Sequence, residues 1–283
     1  MTKKNHSLAI FLLLLPGVGY IALFLSAALG MTILQSFGFF SFSAKTEIGL
    51  QEWARVLNSE TWDSFLYSTK VAFVSAFGGL VLAYPIALYL RKSFIGKTYL
   101  NAIMRVPLFV PALVAAFLIL NILSFHGIFN EFLLALGILK EPLRLTHDDW
   151  GLGVIAIQIW KNLPFLTLIL SAALVNIPVD FEHAASNLGA NGLAVFRHVI
   201  FPLSIPGALT GVILVFIGVF GDYAINVIAG PLYPPSLAIR MYLFGKGFGE
   251  WGQAACLAII IILGSIFFAW LYSKLANLLV GGT

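Results

Sequence analysis

Two ionisable side chains, Lys161 and Asp222, occur inside long apolar runs. A charged group in such a run is costly and usually faces the interior of a helix bundle or a water-filled path. The two side chains are therefore candidates for an ion pair with each other, or for contacts with a cation at Asp222 and an anion at Lys161 along such a path. A neutralising pair, or Lys161 extending its charged end towards water, is the purely structural alternative.

Other residues that suggest chemistry lack the spacing that the chemistry needs. The Gly-Asp pair at 221–222 resembles part of the Gly-x-Gly-Asp signature of intramembrane aspartyl proteases, but residue 219 is Val219 and a second intramembrane aspartate is absent. The Gly-Lys-Thr run at 96–98 resembles the end of a phosphate loop, but Arg91 occupies the position of its leading glycine. No helix-repeat spacing with carboxylates, as a metal site would need, involves the histidines at 6, 126, 147, 183 and 198. These patterns predict neither a catalytic residue nor a metal ligand.

The segment 176–202 is polar by comparison with its surroundings and has the pattern of a short helix, a break and a return. Pro178 suits a first helical turn, and Asp180 and Glu182 complement the positive end of the helix dipole. Gly189 permits a left-handed stop. Small residues at 184, 185 and 190 leave a surface that another protein's backbone can approach closely.

The composition is that of a membrane protein. Of 283 residues, 60% are hydrophobic and 10% are charged, and the mean hydropathy is +0.98. Soluble proteins are about half apolar and a quarter charged, so a soluble fold would not hide this much apolar surface. The net charge of +4 comes from basic residues beside apolar runs, which indicates topology signals and argues against a nucleic-acid partner. The single cysteine, Cys256, excludes a disulfide framework.

Six apolar runs are long enough to cross the hydrocarbon core as helices, since each crossing takes about 20 residues. They cover residues 8–34, 65–90, 100–123, 152–175, 203–227 and 254–279. Residues 1–283 are therefore predicted to form one all-α membrane domain with both termini on one side. Close helix packing is expected at the small-residue positions Gly78, Gly79, Gly207 and Gly211.

The distribution of basic residues at span ends favours a cytoplasmic N-terminus. On the side of the termini lie Lys3, Lys4, Arg91, Lys92, Lys97, Arg197 and Lys274. On the opposite side lie Lys45, Arg55, Lys140, Arg144, Arg240 and Lys246. The two counts are nearly even, but the first group is concentrated in shorter loops close to the spans, which are the positions that set orientation.

The 176–202 segment resembles the cytoplasmic loop of the inner-membrane permeases of binding-protein-dependent ABC importers. That loop carries Glu-Ala-Ala, three residues, Gly, nine residues and then Ile-x-Leu-Pro. When Gly189 is placed on the motif glycine, His183, Ala184 and Ala185 fall on the Glu-Ala-Ala positions, and 199–202, ending at Pro202, fall on the closing tetrapeptide. The spacing matches throughout.

His183 departs from the family pattern, which usually has glutamate at this position. Glu182 is adjacent, but one residue along a helix turns the side chain by roughly 100°, so Glu182 does not replace the missing glutamate without a shift of register. This departure argues against a specific salt bridge from a glutamate more strongly than it argues against docking of the loop on another protein.

Further positions in the spans resemble the same family. They are 83–87, 106–111, Trp160 with 164–165, 221–223 including Tyr223, and 127–133 before the fourth span. The overall pattern is most similar to the spermidine/putrescine-type branch. That branch has relatives for iron, thiosulfate and phosphonates, so the resemblance suggests a polyamine but leaves the other substrates open.

The resemblance implies the fold of a type I ABC importer permease, with six transmembrane helices and both termini in the cytoplasm of a bacterium, in its inner membrane. It implies a coupling helix at Glu182, His183, Ala184, Ala185, Gly189, Ala190 and Pro202, and a translocation pathway that includes Trp160, Lys161, Asp222 and Tyr223. The chain would form half of that pathway. The implied partners are an ABC ATPase dimer, a second permease that is homologous or identical, an extracytoplasmic substrate-binding protein and membrane lipid.

The permease chain itself would bind no cofactor, because ATP and Mg would be bound and hydrolysed in the partner ATPase. The extracytoplasmic protein would meet the polar loops at 36–64, 126–150 and 230–251. Two alternatives from other classes are an ion-driven secondary transporter and an intramembrane hydrolase, and neither would co-purify with an ATPase. Whether Lys161 and Asp222 pair or line the path stays open at this point, as does the contact made by His183.

Overall fold

The computed structural model describes residues 13–39 and 48–280, and these residues form helices joined by turns, with no strand among them. Six helices in this part of the chain are long and apolar enough to cross a membrane. They are Leu15–Ser36, Ser59–Arg91, Ala112–Ala135, Leu152–Val175, Gly192–Phe220 and Trp251–Ala276. The predicted all-α fold with six spans is therefore confirmed. Residues 8–12 of the first predicted span and 40–47 of the first polar loop lie outside the described residues.

In chain order the helices are α1 (Tyr20–Ser36), α2 (Gln51–Val56), α3 (Ser59–Arg91), α4 (Lys97–Phe109), α5 (Ala112–Leu123), α6 (Ile128–Ala135), α7 (Leu152–Val175), α8 (Val179–Asn187), α9 (Gly192–Val195), α10 (Phe201–Phe220), α11 (Ala224–Ala229), α12 (Leu237–Tyr242) and α13 (Trp251–Val280). Three π-helical turns continue directly into or out of these helices, at Leu15–Gly19, Phe196–Ile200 and Leu243–Gly247.

The described residues divide into two compact units. The first contains α1, α2 and the beginning of α13, with the chain from Arg240 to Ile260. Within it, the thiol of Cys256 is buried and donates to the carbonyl of Ser36 at 3.6 Å. A Cβ added to Gly252 would lie 2.9 Å from Cγ of Glu52, so α2 approaches α13 closely enough to require a glycine.

The second unit contains the chain from Ser59 to Ile239 and the end of α13, and α7 lies at its centre. Helix α7 packs against α3 along most of its length and also against α10. A Cβ added to Gly79 would lie 2.7 Å from a methyl carbon of Leu166, and one added to Gly207 would lie 2.4 Å from Cβ of Ala173. The predicted small-residue packing at these glycines is confirmed, because a Cβ at Gly207 would force α7 and α10 apart and one at Gly79 would displace the side chain of Leu166.

The third predicted span, 100–123, is not one continuous helix. It is broken between α4 and α5, where Val110 has an extended backbone (φ −81°, ψ 121°) and Pro111 precedes the first turn of α5. A proline disfavours the helical conformation of the residue before it and has no N–H to donate to the preceding turn. The expected continuous span is therefore corrected to two helices with a break in the middle. The stretch that is long and apolar enough to cross, Ala112–Ala135, begins after this break and includes α5 and α6.

The fifth predicted span, 203–227, is displaced towards the N-terminus. Helical structure begins at Gly192, runs through the π-helical turn into α10 and ends at Phe220, and Ala224 starts the separate helix α11 after a break at Gly221. Residues 192–202, which were predicted to belong to the loop, are thus the first turns of the spanning helix.

Candidate functional site

Residues 176–202, here called the coupling segment, begin with a helix whose start follows the predicted chemistry. Pro178 precedes α8 with an extended backbone (φ −60°, ψ 134°), which suits a residue that cannot donate a hydrogen bond. Asp180 and Glu182 lie in the first turn, where carboxylates interact favourably with the exposed N–H groups of the helix.

The predicted break at Gly189 is confirmed. Gly189 has a φ of +88° and ends α8 in a Schellman motif. Its N–H donates to the carbonyl of Ser186 at 3.0 Å, and the N–H of Ala190 donates to the carbonyl of Ala185 at 3.1 Å. Because both bonds depend on the left-handed conformation at Gly189, this residue fixes the end of α8 and the direction in which the chain leaves it.

The predicted return is also present, and it leads straight into α10. The side-chain oxygen of Asn191 accepts a hydrogen bond from the N–H of Ala194 at 2.9 Å and so caps α9. The π-helical turn then closes with a hydrogen bond from the N–H of Phe201 to the carbonyl of Phe196. Pro202 follows immediately. A widened turn accommodates a proline ring that would otherwise clash with the carbonyl four residues earlier.

The coupling segment presents apolar side chains to its surroundings. Leu188 is 90% exposed, Leu193 is 75% exposed and Phe181 is 52% exposed. Among the residues of the predicted docking motif, His183, Ala184 and Gly189 are exposed, and Glu182, Ala185, Ala190 and Pro202 are half-buried. Large exposed apolar groups beside small residues are typical of a surface that receives another protein.

Glu182 does not point away with His183, because it is bound within the chain. Its carboxylate forms an ion pair with Nη1 of Arg91, the last residue of α3, and Nη2 of Arg91 donates to the carbonyl of Ile177 at 2.7 Å. The sequence indicated Arg91 only as a topology signal. Nothing in the spacing joins residues that are 91 positions apart, so this contact could not have been predicted.

Lys161 lies on α7 and is half-buried, and its ammonium group binds the break in the third span. Nζ donates to the carbonyl of Pro107 at 2.7 Å and also to the carbonyl of Val110. In an unbroken helix the carbonyl of Pro107 would accept from the N–H of residue 111, but Pro111 has none. Lys161 therefore supplies donors to carbonyls that the proline leaves free.

Asp222 occupies the break between α10 and α11 in a comparable way. One carboxylate oxygen accepts from the N–H of Ile225 at 2.9 Å and from the side-chain amide of Asn226 at 3.4 Å. Asn226 in turn accepts a hydrogen bond from the hydroxyl of Tyr67 at 3.4 Å. The carboxylate thus caps the first turn of α11 and begins a chain of polar contacts that reaches α3.

The structure shows whether the two intramembrane charges pair with each other. In residues 13–39 and 48–280, Lys161 and Asp222 form no ion pair with each other. Trp160 and Tyr223, their neighbours in the predicted pathway, are both half-buried. The same described residues contain no group of three or more metal-ligating side chains close enough to hold an ion.

The end of α7 opposite the coupling segment borders an open cavity that the sequence did not indicate, here called the mouth. A cavity of about 860 Å³ opens there between the loop before α7 and the loop after α11. It is lined by Phe125, Arg144, Thr146, His147, Asp149, Leu232 and Tyr233. The loop before α7 is held by buried Asn130, whose side-chain amide donates to the carbonyls of residues 124, 125 and 143 at 3.1, 3.2 and 2.9 Å.

Lys70 lies at this mouth, and its ammonium group contacts two aromatic rings and a backbone carbonyl. Nζ lies 5.3 Å from the ring centre of Tyr67 and 5.1 Å from that of Trp150, and it donates to the carbonyl of Asp149 at 3.3 Å. Two aromatic rings and a carbonyl are the surroundings in which cation–π attraction stabilises an ammonium ion. The mouth thus contains an environment suited to a primary ammonium group.

Comparison with known sequences identifies a family and several relatives of the chain. Residues 70–279 match the family described as binding-protein-dependent transport system inner membrane component. The chain is 27% identical to the inner membrane ABC transporter permease protein YdcU of Escherichia coli K12, over 94% of this chain and 90% of that protein. It is 27% identical to the spermidine/putrescine transport system permease protein PotB of the same organism, over 81% of this chain and 84% of that protein. It is 29% identical to the molybdenum transport system permease protein ModB of Haemophilus influenzae, over 76% of this chain and 95% of that protein.

The fold also has close counterparts among solved structures. A chain of a bacterial ABC transporter involved in the import of the acidic polysaccharide alginate superimposes with a TM-score of 0.79 at 16% identity, covering 96% of both chains. A chain of a bacterial alginate ABC transporter in complex with an alginate pentasaccharide-bound periplasmic protein gives a TM-score of 0.78 at 15% identity, covering 98% of this chain and 96% of that one. At these identities the likeness concerns the fold.

Proposed function

The chain belongs to the family of binding-protein-dependent transport system inner membrane components, and from this membership we propose that it couples a cytoplasmic ATPase, through α8, to half of a substrate pathway. As a member it is a permease subunit of an ABC importer, a multi-pass protein of the bacterial inner membrane and a transport component rather than an enzyme. The ion-driven transporter and the intramembrane hydrolase do not describe this family.

The coupling role is supported above all by the end of α8 at Gly189. The left-handed stop fixes α8 as a short rigid body, and the chain on either side of it is covalently continuous with α7 and α10. Exposed Leu188 and Phe181 provide apolar area for a partner, and exposed His183 with Ala184 occupies the docking positions of the motif. ATP and Mg belong to the ATPase dimer in this proposal.

The pathway role concerns the two helix breaks. Asp222 and Tyr223 lie at the break after α10, and Lys161 with Trp160 lies on α7 against the break before α5. Broken helices place polar backbone and ionisable groups at membrane depth, which membrane proteins tolerate where a cavity or a protein interior receives them. A second permease, homologous or identical, would provide the other half of the path, with lipid around both.

The mouth at the far end of α7 is the proposed site of delivery by an extracytoplasmic binding protein. Its cavity lies in the loops at 126–150 and 230–236, on the opposite end of α7 from the coupling segment. If the coupling segment meets a cytoplasmic ATPase, as proposed, the cavity opens on the extracytoplasmic side, which is the orientation expected from the basic residues.

A polyamine is the proposed substrate class, and the carrying observation is the likeness to PotB, a spermidine/putrescine permease, over 81% of this chain. Asp149 adds a carboxylate to the lining of the cavity, and a carboxylate attracts the ammonium groups of a polyamine. The second candidate is an oxyanion, because ModB is a molybdenum transport permease and Arg144 and His147 line the same cavity.

Two measurements test these proposals. Tagged chain is purified from its native membrane and assayed for co-purifying ATP hydrolysis, and Leu188→Glu should remove that activity while Leu232→Glu, equally exposed at the mouth, should retain it. Loss in both variants or in neither would contradict docking at α8.

Uptake of labelled spermidine, putrescine and molybdate by cells that contain or lack the chain separates the substrates. If only molybdate uptake depended on the chain, the polyamine proposal would be overturned.

A further inference from the structure

Arg91 connects three parts of the chain that meet at the cytoplasmic end of the second span. It is the last residue of α3, its Nη1 group is paired with Glu182 in α8, and its Nη2 group donates to the carbonyl of Ile177 at 2.7 Å. Ile177 lies in the short link between α7 and α8. One guanidinium group therefore binds the coupling helix and the link that leads into it.

This contact is shielded from solvent to a degree that makes it more than a surface ion pair. The side chains of Arg91 and Glu182 are 16% and 25% exposed. Apolar residues of the adjoining cavity, among them Leu88, Leu193 and Phe196, lie around them. A charge-assisted hydrogen bond in such surroundings is stronger and geometrically more specific than an exposed one, and the planar fork of arginine suits two acceptors at once.

Helix α3 is in turn fixed along its length to α7 and α10. Gly79 permits direct contact with Leu166 of α7. The hydroxyl of Tyr84 forms a hydrogen bond with that of Ser204 in α10. Any displacement of the cytoplasmic end of α3 is therefore passed to the same two helices that are joined to the coupling segment through the backbone.

We infer that Arg91 is a positioning residue that transmits movement of α8 to α3, so that α3, α7 and α10 move with the coupling helix as one body. This inference rests on the proposed coupling function. The backbone joins α8 to α7 on one side and, through α9, to α10 on the other, but α3 has no covalent link to the coupling segment nearer than α7. Arg91 provides that third connection, and it explains why Glu182 is turned away from the surface on which His183 is exposed.

The test uses the complete transporter in lipid vesicles, with transport per ATP hydrolysed as the readout. For Arg91→Ala we expect this ratio to fall about tenfold, a size typical of coupling between two sites, while the ATPase stays bound. Lys92→Ala is the matched control, because Lys92 is the next residue, is exposed and carries the same charge. Its ratio should be that of the wild type. Arg91→Lys keeps the charge without the fork and should give an intermediate value.

Charge reversal distinguishes a loss of contact from a loss of folding. Arg91→Glu alone should uncouple transport, and Arg91→Glu combined with Glu182→Arg should restore at least part of the ratio, since the pair is reconstituted with opposite polarity. An unchanged ratio in Arg91→Ala, or a reversed pair no better than the single variant, would overturn the inference. If the wild-type chain itself binds no ATPase, that result contradicts the proposed coupling function and is distinguishable from a failure of the Arg91 inference.

Discussion

Replacement of Gly189 by alanine tests the coupling segment at the residue that terminates α8. The φ of +88° lies in the left-handed region, and no atom lies within 4 Å of the position that a Cβ would take. The cost of the substitution is therefore conformational and not steric. Holding a non-glycine residue in the left-handed region costs about 1–2 kcal/mol.

That cost appears as weaker binding of the ATPase. In the free permease the variant relieves strain by opening the last turn of α8, which releases the carbonyls of Ala185 and Ser186. Docking requires the closed turn, so the strain must then be restored. A difference of about 1–2 kcal/mol raises the dissociation constant by a factor of about 5–30.

The assay is titration of purified ATPase onto permease held in lipid nanodiscs. Gly192→Ala is the matched control, because Gly192 lies three residues away in helical backbone, and a Cβ there would also meet nothing within 4 Å. Its dissociation constant should be unchanged. Gly189→Asn should fall between wild type and Gly189→Ala, since asparagine tolerates the left-handed conformation better. Equal affinities for Gly189→Ala and Gly192→Ala would refute the claim that the Schellman motif shapes the docking surface.

Three further substitutions test the packing and the breaks in the spans. Lys161→Met should lower the free energy of unfolding by about 1.5–3 kcal/mol, since two carbonyls lose a charged donor, and thermal unfolding in detergent measures this. Gly207→Ala should destabilise by about 1–3 kcal/mol because its Cβ would lie 2.4 Å from that of Ala173, whereas Gly218→Ala, with nothing within 4 Å, should not. Asn130→Ala removes side-chain hydrogen bonds from three carbonyls and from the N–H of Leu143, and it should expose the loop before α7 to limited proteolysis without loss of ATPase binding.

Features that depend on local sequence could be predicted. The spans followed from apolar run length, and the end of α8 followed from one glycine placed after a helix-forming stretch. Both are properties of about 20 neighbouring residues or fewer. The start of the fifth span was predicted too late because residues 192–202 are less apolar than the spans and suggested a loop. In the structure an asparagine cap starts the helix, and a π-helical turn continues it through Pro202.

Features that depend on a distant partner could not be predicted. The break in the third span is an exception, since Pro111 is a local signal, but membrane helices often tolerate proline and the apolar run length alone predicts a continuous span. The role of Lys161 was hidden because its acceptors lie 51 and 54 residues away. The ion pair of Arg91 with Glu182 was hidden for the same reason. In each case the residue type was visible in the sequence, and only the fold supplied the acceptor.

In the proposed pathway, the contacts of the two intramembrane charges determine which helix break can rearrange. An unpaired carbonyl at membrane depth is costly, so the ammonium of Lys161 cannot leave Pro107 and Val110 during transport unless another donor replaces it. Asp222 is bound differently, because its partners are an N–H and an amide of the turn that follows it and move together with it. Rearrangement at the break after α10 can therefore carry Asp222 along with its own hydrogen bonds intact, and it would break only the contact from Tyr67 to Asn226 within this chain of polar groups. Movement of the pathway is thus expected at the α10–α11 break, while the contact between Lys161 and the α4–α5 break stays closed.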